Sequence, residues 1–323
     1  MKYGNVPGIS KPISRLAQGT ATFFNPADPA DCYEMLDLST EFGINTFDTA
    51  HCYGAEKSIM FGKWLKDRKM ADKVVILAKG AHPYGHPRVT QKDITSDLEA
   101  TLEWMQVDYV DLLVLHRDDP AVPVGPIVEI LNEHQKAGKI GAFGGSNWSH
   151  RRIEEANNYA RENGLTPFAV SSPNYSLAEQ IEEPWADCLS ISGPGGDEAR
   201  EWYGKSDVAL FPWSSLAAGF FSGRYHKSDE VQLENDRSTL DFCLRCYASH
   251  DNFERLDRTE KVAKAKGLLV PHIALAYVMQ QPLDIYELIS CDGRPQFEAN
   301  VAALNLKLTD GELAYLDLKA PTF

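Results

Sequence analysis

Short apolar runs alternate with amphipathic stretches along nearly the whole chain, and this alternation limits the fold more than any other feature. Segments 44–48, 74–79, 109–116, 140–146, 169–172, 208–213 and 286–290 read as strands, and an eighth is expected within 13–19. Between them, residues 93–105 place Ile94, Leu98, Leu102 and Met105 at helical spacing. Residues 30–42, 127–137 and 150–163 read as helices that stop at Gly43, Gly138 and Gly164. Glycine closes a helix readily because it tolerates the left-handed conformation. Residues 308–318 read as a final helix. Strands that are apolar on both faces, each followed by a helix, imply a parallel sheet covered by helices. Eight such units in succession predict an α/β fold of the (β/α)8 TIM barrel type, with residues 1–323 as a single barrel domain.

An open doubly wound sheet is the rival, and it usually carries a Gly-rich turn after its first strand. No G-x-G-x-x-G and no P-loop pattern occurs, and Gly193-Pro194-Gly195-Gly196 lies late in the chain. The stretch 226–252 is polar and without period, and reads as a long loop over one barrel face. No run of about 18 apolar residues is present to span a membrane. Residues 1–16 lack the apolar core of a signal peptide. The 32 basic residues against 46 acidic ones give a net charge of −14. That balance argues against nucleic acid or an anionic membrane as a partner, since both require a basic footprint. A small molecule is the expected partner. The six cysteines are scattered through the chain, which reads as reduced thiols in a cytoplasmic protein.

In a barrel, the C-terminal strand ends converge on one face, and that face carries the chemistry. The second strand ends at Asp48, with Tyr53 in the loop beyond it. The third ends at Lys79, the fourth at His116, the fifth at Ser146-Asn147 and the seventh at Trp213. Each of these has an ordinary structural reading alone; their joint placement at successive strand ends points to a site. A phenol has a pKa near 10, too high for easy proton transfer near neutrality. A buried Lys79 cation beside Tyr53 is expected to lower it, with Asp48 keeping Lys79 charged. His116 would orient a substrate oxygen. The set reads as a general acid for a carbonyl, or a base for an alcohol. Hydride must come from a carrier, since no side chain supplies it.

These residues carry a resemblance. Phe47-Asp48-Thr49-Ala50-His51-Cys52-Tyr53-Gly54 resembles the F-D-T-A-x-x-Y-G signature of the aldo-keto reductases. Ile76-Leu77-Ala78-Lys79 and Asp111-Leu112-Leu113-Val114-Leu115-His116 are similar to that family's lysine and histidine strands. Gly138-Lys139-Ile140 followed by Gly144-Gly145-Ser146-Asn147-Trp148 is similar to its G-K-I-R…G-V-S-N segment, and Phe211-Pro212-Trp213-Ser214-Ser215-Leu216 to its A-Y-S-P-L segment. The resemblance implies reduction of an aldehyde or ketone, possibly sugar-derived, with NADPH or NADH. It makes Tyr53 the acid, Lys79 and Asp48 its tuners, and His116 the residue that positions the carbonyl. It assigns Ser146 and Asn147 to the nicotinamide carboxamide and Trp213 to its ring. Ser214, Leu216, Gly223 and Arg224 would follow the pyrophosphate, and Arg294, Gln296 and Asn300 the adenosine end.

Two places depart from the pattern. Ser172 stands where the family has Gln, with Asn174 as an expected replacement. Asp292 stands where a cation often grips the 2′-phosphate of NADP. A carboxylate there suits the ribose hydroxyl of NAD instead; with Arg294 nearby, NADPH is expected slightly ahead of NADH. Cys243-Leu244-Arg245-Cys246 and the pair His82, His86 invite redox or metal readings. Neither is accompanied in sequence by the further ligands a metal requires, so no metal is expected. Phe23, Phe24, Trp148, Trp202 and Tyr203 are expected near the barrel mouth as aromatic platforms. The alternative function is a cofactor-binding regulatory or interaction protein on the same barrel with negligible turnover.

Overall fold

In the computed structural model, residues 1–22 and 29–323 are described. Eight parallel strands form the central sheet: β1 (Leu16–Gly19), β2 (Thr46–Ala50), β3 (Val75–Gly80), β4 (Val110–Leu115), β5 (Ile140–Ser146), β6 (Val170–Ser172), β7 (Ala209–Leu210) and β8 (Glu287–Ile289). Neighbours in sequence are neighbours in space, and β8 pairs back onto β1 through Glu287–Leu16, Leu288–Ala17 and Ile289–Gln18. Closure between β7 and β8 is looser. There Tyr286 N donates to Leu210 O at 2.8 Å and Leu288 N to Pro212 O at 3.0 Å. The result is the (β/α)8 barrel that the strand count predicts.

The side-chain period of two explains both the core and the site. Val75 and Leu77 of β3 and Leu112 and Val114 of β4 fill the barrel interior with Ala142, Phe211 and Tyr286. Their neighbours Ile76, Leu113 and Leu115 face outward and pack under the helices with Phe47, Phe61 and Trp64. The expected first strand, 13–19, is divided. Tyr3–Gly4 and Ile13–Ser14 form a separate antiparallel ladder, and Val6 and Ile13 join the apolar cluster of the barrel interior.

The helices predicted at 30–42, 93–105, 127–137 and 150–163 appear as Pro29–Glu41, Gln91–Met105, Val124–Lys136 and His150–Glu162. Thr90 and Ser149 cap two of them by accepting from Asp93 N and Arg152 N. The final helix is shorter than expected, Asp310–Leu316, and starts at a capping box between Thr309 and Glu312. The stretch 226–252 is not a plain loop. It holds 3-10 turns at Lys227–Glu234 and Arg237–Thr239 and a helix at Phe242–Tyr247, and a long helix starts at His250. Local caps organise it: Asp241 accepts from Leu244 N and Ser249 from Asn252 N. Such caps leave no periodic signal. The helix Val270–Met279 is apolar almost all round, so it too lacks an amphipathic pattern. It forms a bent pair (103°) with His250–Lys266, and among the described residues no single helix is long and apolar enough to cross a membrane.

Candidate active site

Asp48, Lys79, His116, Ser146, Ser172 and Trp213 sit on the inward parity of their strands or on its continuation past the strand end. The barrel therefore gathers them at the C-terminal mouth. A cavity there is bordered by Asp48, Tyr53, Lys79 and His116 on one side. Ser146, Asn147, Trp213, Ser214, Leu216, Gln296 and Asn300 border the same cavity on the other.

Lys79 Nζ lies 2.5 Å from Asp48 Oδ1, and both side chains are buried. Burial pushes the Asp48 carboxyl upward, while the Lys79 cation pulls it back. Tyr53 closes a short 3-10 turn, His51–Tyr53, that follows directly on β2. Neighbouring contacts hold this turn: His51 stacks on Trp104 at 4.8 Å, and its Nδ1 lies 3.7 Å from the buried Asp97 carboxylate. The Tyr53 ring stands edge-on to His116, with centroids 6.4 Å apart.

The expected lowering of the phenol pKa is not what the surroundings produce. Burial pushes the Tyr53 phenol well above its ordinary value, Asp48 and Cys52 push the same way, and Arg117 opposes them. The physical reason is that Lys79 is already neutralised by Asp48 at 2.5 Å, so desolvation dominates. Tyr53 is thus held neutral. His116 moves in the opposite sense: burial, followed by the Lys79, Arg117 and His82 charges, drives its pKa well below the usual imidazole value. It stays neutral, and Cys52 Sγ sits 3.5 Å from its Nδ1.

Ser146 Oγ donates to Ser172 O at 2.8 Å. Asn147 adopts a left-handed backbone (φ 60°), and its amide bridges His116 O and Leu189 N. Asn174 does not replace the absent Gln. It is fully buried, and its amide is taken up by Trp213 O, Tyr247 Oη and Ser190 Oγ. Ser172 Oγ, in contrast, is buried without a hydrogen-bond partner. Past β7, Ser214, Ala217, Ala218 and Gly219 all have positive φ (62°, 52°, 52° and 98°). The turn is closed by its own backbone, with Ala217 N donating to Ser214 O at 2.8 Å and Gly219 N to Leu216 O at 3.0 Å. Strain of this kind at non-glycine residues concentrates at functional sites. Ser146 and Asn147 border one part of the cavity and Ser214, Leu216, Ala218 and Gly219 another, a polar lining that fits an elongated ligand with an amide and a diphosphate.

Three expected cofactor residues lie off the cavity wall. Gly223 does not border it, and Arg224 is exposed beside Asp241 at 3.5 Å. Arg294 pairs with Glu41 at 2.8 Å on the outer surface. Trp148 is buried in the core and donates its Nε1 proton to Arg117 O at 3.1 Å; Tyr203 is buried against Ser171. Trp202 packs against the main core, and Phe23 and Phe24 lie outside the described residues. The aromatic wall is instead Trp185 and Phe242, with ring centroids 5.5 Å apart. Trp185 comes from an irregular connection and Phe242 opens the short helix Phe242–Tyr247, and neither carries a periodic signal. Arg117 was also missed, although it directly follows a strand end. Its buried guanidinium is held by Ala186 O, His116 O and Cys188 Sγ. Cys243 and Cys246 are buried thiols without a bond between them. His82 does not pair with His86. It packs edge-on against His116 with centroids 4.9 Å apart.

A model of the Aldo/keto reductase family matches residues 15–320. The chain belongs to the aldo/keto reductase family. Among curated members, it is 26% identical to norsolorinic acid reductase A of Aspergillus parasiticus over 98% of this chain and 80% of that protein. It is 25% identical to a Saccharomyces cerevisiae protein named as an aryl-alcohol dehydrogenase, AAD14, over 93% of this chain and 79% of that one. It is also 25% identical to protein tas of Escherichia coli, over 98% and 97%. A solved thermostable aldo-keto reductase, bound to the inhibitor epalrestat, shares the fold with a TM-score of 0.74 at 22% identity, covering 99% of this chain and all of that one. As an aldo/keto reductase, the protein is an oxidoreductase enzyme, and its family generally uses a nicotinamide carrier.

Proposed function

We propose that this aldo/keto reductase reduces an aldehyde or ketone to its alcohol with NADPH, or less readily NADH. The observation that carries the reading is the shared cavity edge of Tyr53, His116 and the Asp48–Lys79 pair. The carrier supplies hydride to the carbonyl carbon. Tyr53 Oη then donates its proton to the developing alkoxide, a task suited to a phenol that burial keeps protonated. Neutral His116 hydrogen-bonds the same oxygen and fixes its direction. Arg117 is the cation that favours the phenolate left behind, while Asp48 holds Lys79 in place.

Ser146 and Asn147 would hold the carboxamide end of the carrier and Trp213 its ring, since all three border the cavity. Ser214, Leu216, Ala218 and Gly219, which border the cavity further on, would take the diphosphate. Gln296 and Asn300 line the far end. Arg294 opens the helix that carries both, and to reach a 2′-phosphate it would have to leave its pair with Glu41. Trp185 and Phe242 favour a carbonyl on a large aromatic body over a sugar. The names of two relatives, an aryl-alcohol dehydrogenase and norsolorinic acid reductase A, point the same way.

The test is fluorescence titration with NADPH and NADH side by side, followed by oxidation of the bound carrier with aryl aldehydes and aldoses. The reading expects tighter NADPH binding and oxidation driven mainly by aryl aldehydes. Tight binding with no oxidation by any carbonyl would favour the regulatory alternative. No binding of either carrier would end the reductase reading.

A further inference from the structure

Beside His116 stand two side chains that carbonyl reduction leaves unused, Cys52 and His82. Cys52, His82 and His116 each offer one ligand atom, and the three atoms lie within 4.8 Å of one another. They come from three separate segments: the turn after β2, the loop after β3 and the end of β4. Cys52 Sγ and His116 Nδ1 are 3.5 Å apart. Tetrahedral Zn²⁺, with Zn–S of about 2.3 Å and Zn–N of about 2.0–2.1 Å, sets a sulfur and a nitrogen about 3.6 Å apart. His82 Nδ1 donates to Pro83 O at 2.9 Å. That bond places the free lone pair on Nε2, and a backbone carbonyl behind the ring is the usual support of a ligating imidazole. All three side chains are partly exposed, so an ion from solvent can reach them.

We propose that Cys52, His82 and His116 form a three-ligand site for a borderline-soft divalent cation such as Zn²⁺, and that its occupation blocks carbonyl reduction by crowding the carbonyl out with the ion and its bound water. Ion and carbonyl then compete for the mouth. The donor set selects the ion: it has thiol and imidazole but no carboxylate, and the Arg117 cation stands beside it. A hard ion held by charge alone gains little there, whereas Zn²⁺ gains through bonds to sulfur and nitrogen. On binding, the Cys52 S–H bond breaks, its proton passes to solvent and an S–Zn bond forms; neither partner changes oxidation state. The fourth coordination position is left to water, as in other sites with three protein ligands. The binding claim stands on geometry alone, while the inhibition claim rests on the reductase reading.

The experiment uses chelator-treated full-length protein titrated with Co²⁺, whose thiolate-to-cobalt charge-transfer band reports a sulfur ligand. The proposal expects one Co²⁺ per chain with that band, displaced by Zn²⁺ and unaffected by Mg²⁺. Cys52→Ser abolishes the band, and His82→Gln weakens binding by more than about 10-fold. Near-UV circular dichroism of both variants confirms an intact fold. Zn²⁺ then raises the apparent KM for the carbonyl, and chelator reverses the effect. Absence of the band in the wild type, or its persistence in Cys52→Ser, overturns the site. A normal band with carbonyl turnover indifferent to Zn²⁺ overturns the competition. If the metal-free protein reduces no carbonyl while the band behaves as expected, the reductase reading fails and the metal site stands.

Discussion

At the scale of single residues, the site depends on two opposed pKa shifts. Tyr53 is pushed well above the ordinary phenol value, and His116 is driven well below the ordinary imidazole value. Both groups are therefore neutral across the middle of the pH range. The kcat/KM for carbonyl reduction is expected to stay flat from about pH 6 to about pH 9, without an inflection near 6.5, where an unperturbed histidine titrates. On the acid side, activity falls only once the pH passes through the depressed His116 value, because protonation there adds a second cation beside Lys79. A steady-state pH profile checks this, and a drop centred near 6.5 would contradict it. The Asp48–Lys79 pair gives a second prediction. Both members are buried, so Asp48→Asn leaves the Lys79 charge uncompensated. Urea unfolding should show a loss of about 3–5 kcal/mol. Residual activity should fall as well, because Lys79 loses the partner that fixes it.

At the scale of elements, the sequence was most legible where burial is two-sided. The strand interiors are apolar throughout, so their existence and order could be read directly; the polar residues ending them, Lys79 and His116, fall on the inward parity of the same strands. That parity makes the core of the candidate site legible in the sequence. The rim was not legible. Trp185 and Phe242 reach the mouth from segments held by caps and backbone contacts, which leave no repeat. The helix Ala55–Arg68 was also overlooked. Its start, Gly54, offers no side-chain cap, and its register depends on a tertiary contact. That contact is Gly62: a Cβ there would lie 2.2 Å from Met105 O, where the helix Gln91–Met105 crosses. Gly62→Ala must force the two helices apart. Thermal unfolding should report a loss of about 1–3 kcal/mol. The helix begins two residues after Tyr53, so kcat should fall with it.

At the scale of the whole molecule, the barrel brings together residues separated by more than half the chain, with Asp48 and Asn300 bordering one cavity. Family membership, fold and the oxidoreductase class rest on agreement along nearly all of the sequence. Net charge contributed only exclusions, because a total of −14 does not describe the field inside a mouth lined by Lys79, His116 and Arg117. The central claim is that Tyr53 delivers the proton. The most direct measurement is single-turnover oxidation of bound NADPH by an aryl aldehyde, comparing wild type with Tyr53→Phe after fluorescence titration of both. The account predicts equal carrier binding and a rate lower by about 10²–10⁴-fold in the variant, the range a general acid contributes. Equal binding with a rate close to that of the wild type would show that the proton comes from elsewhere.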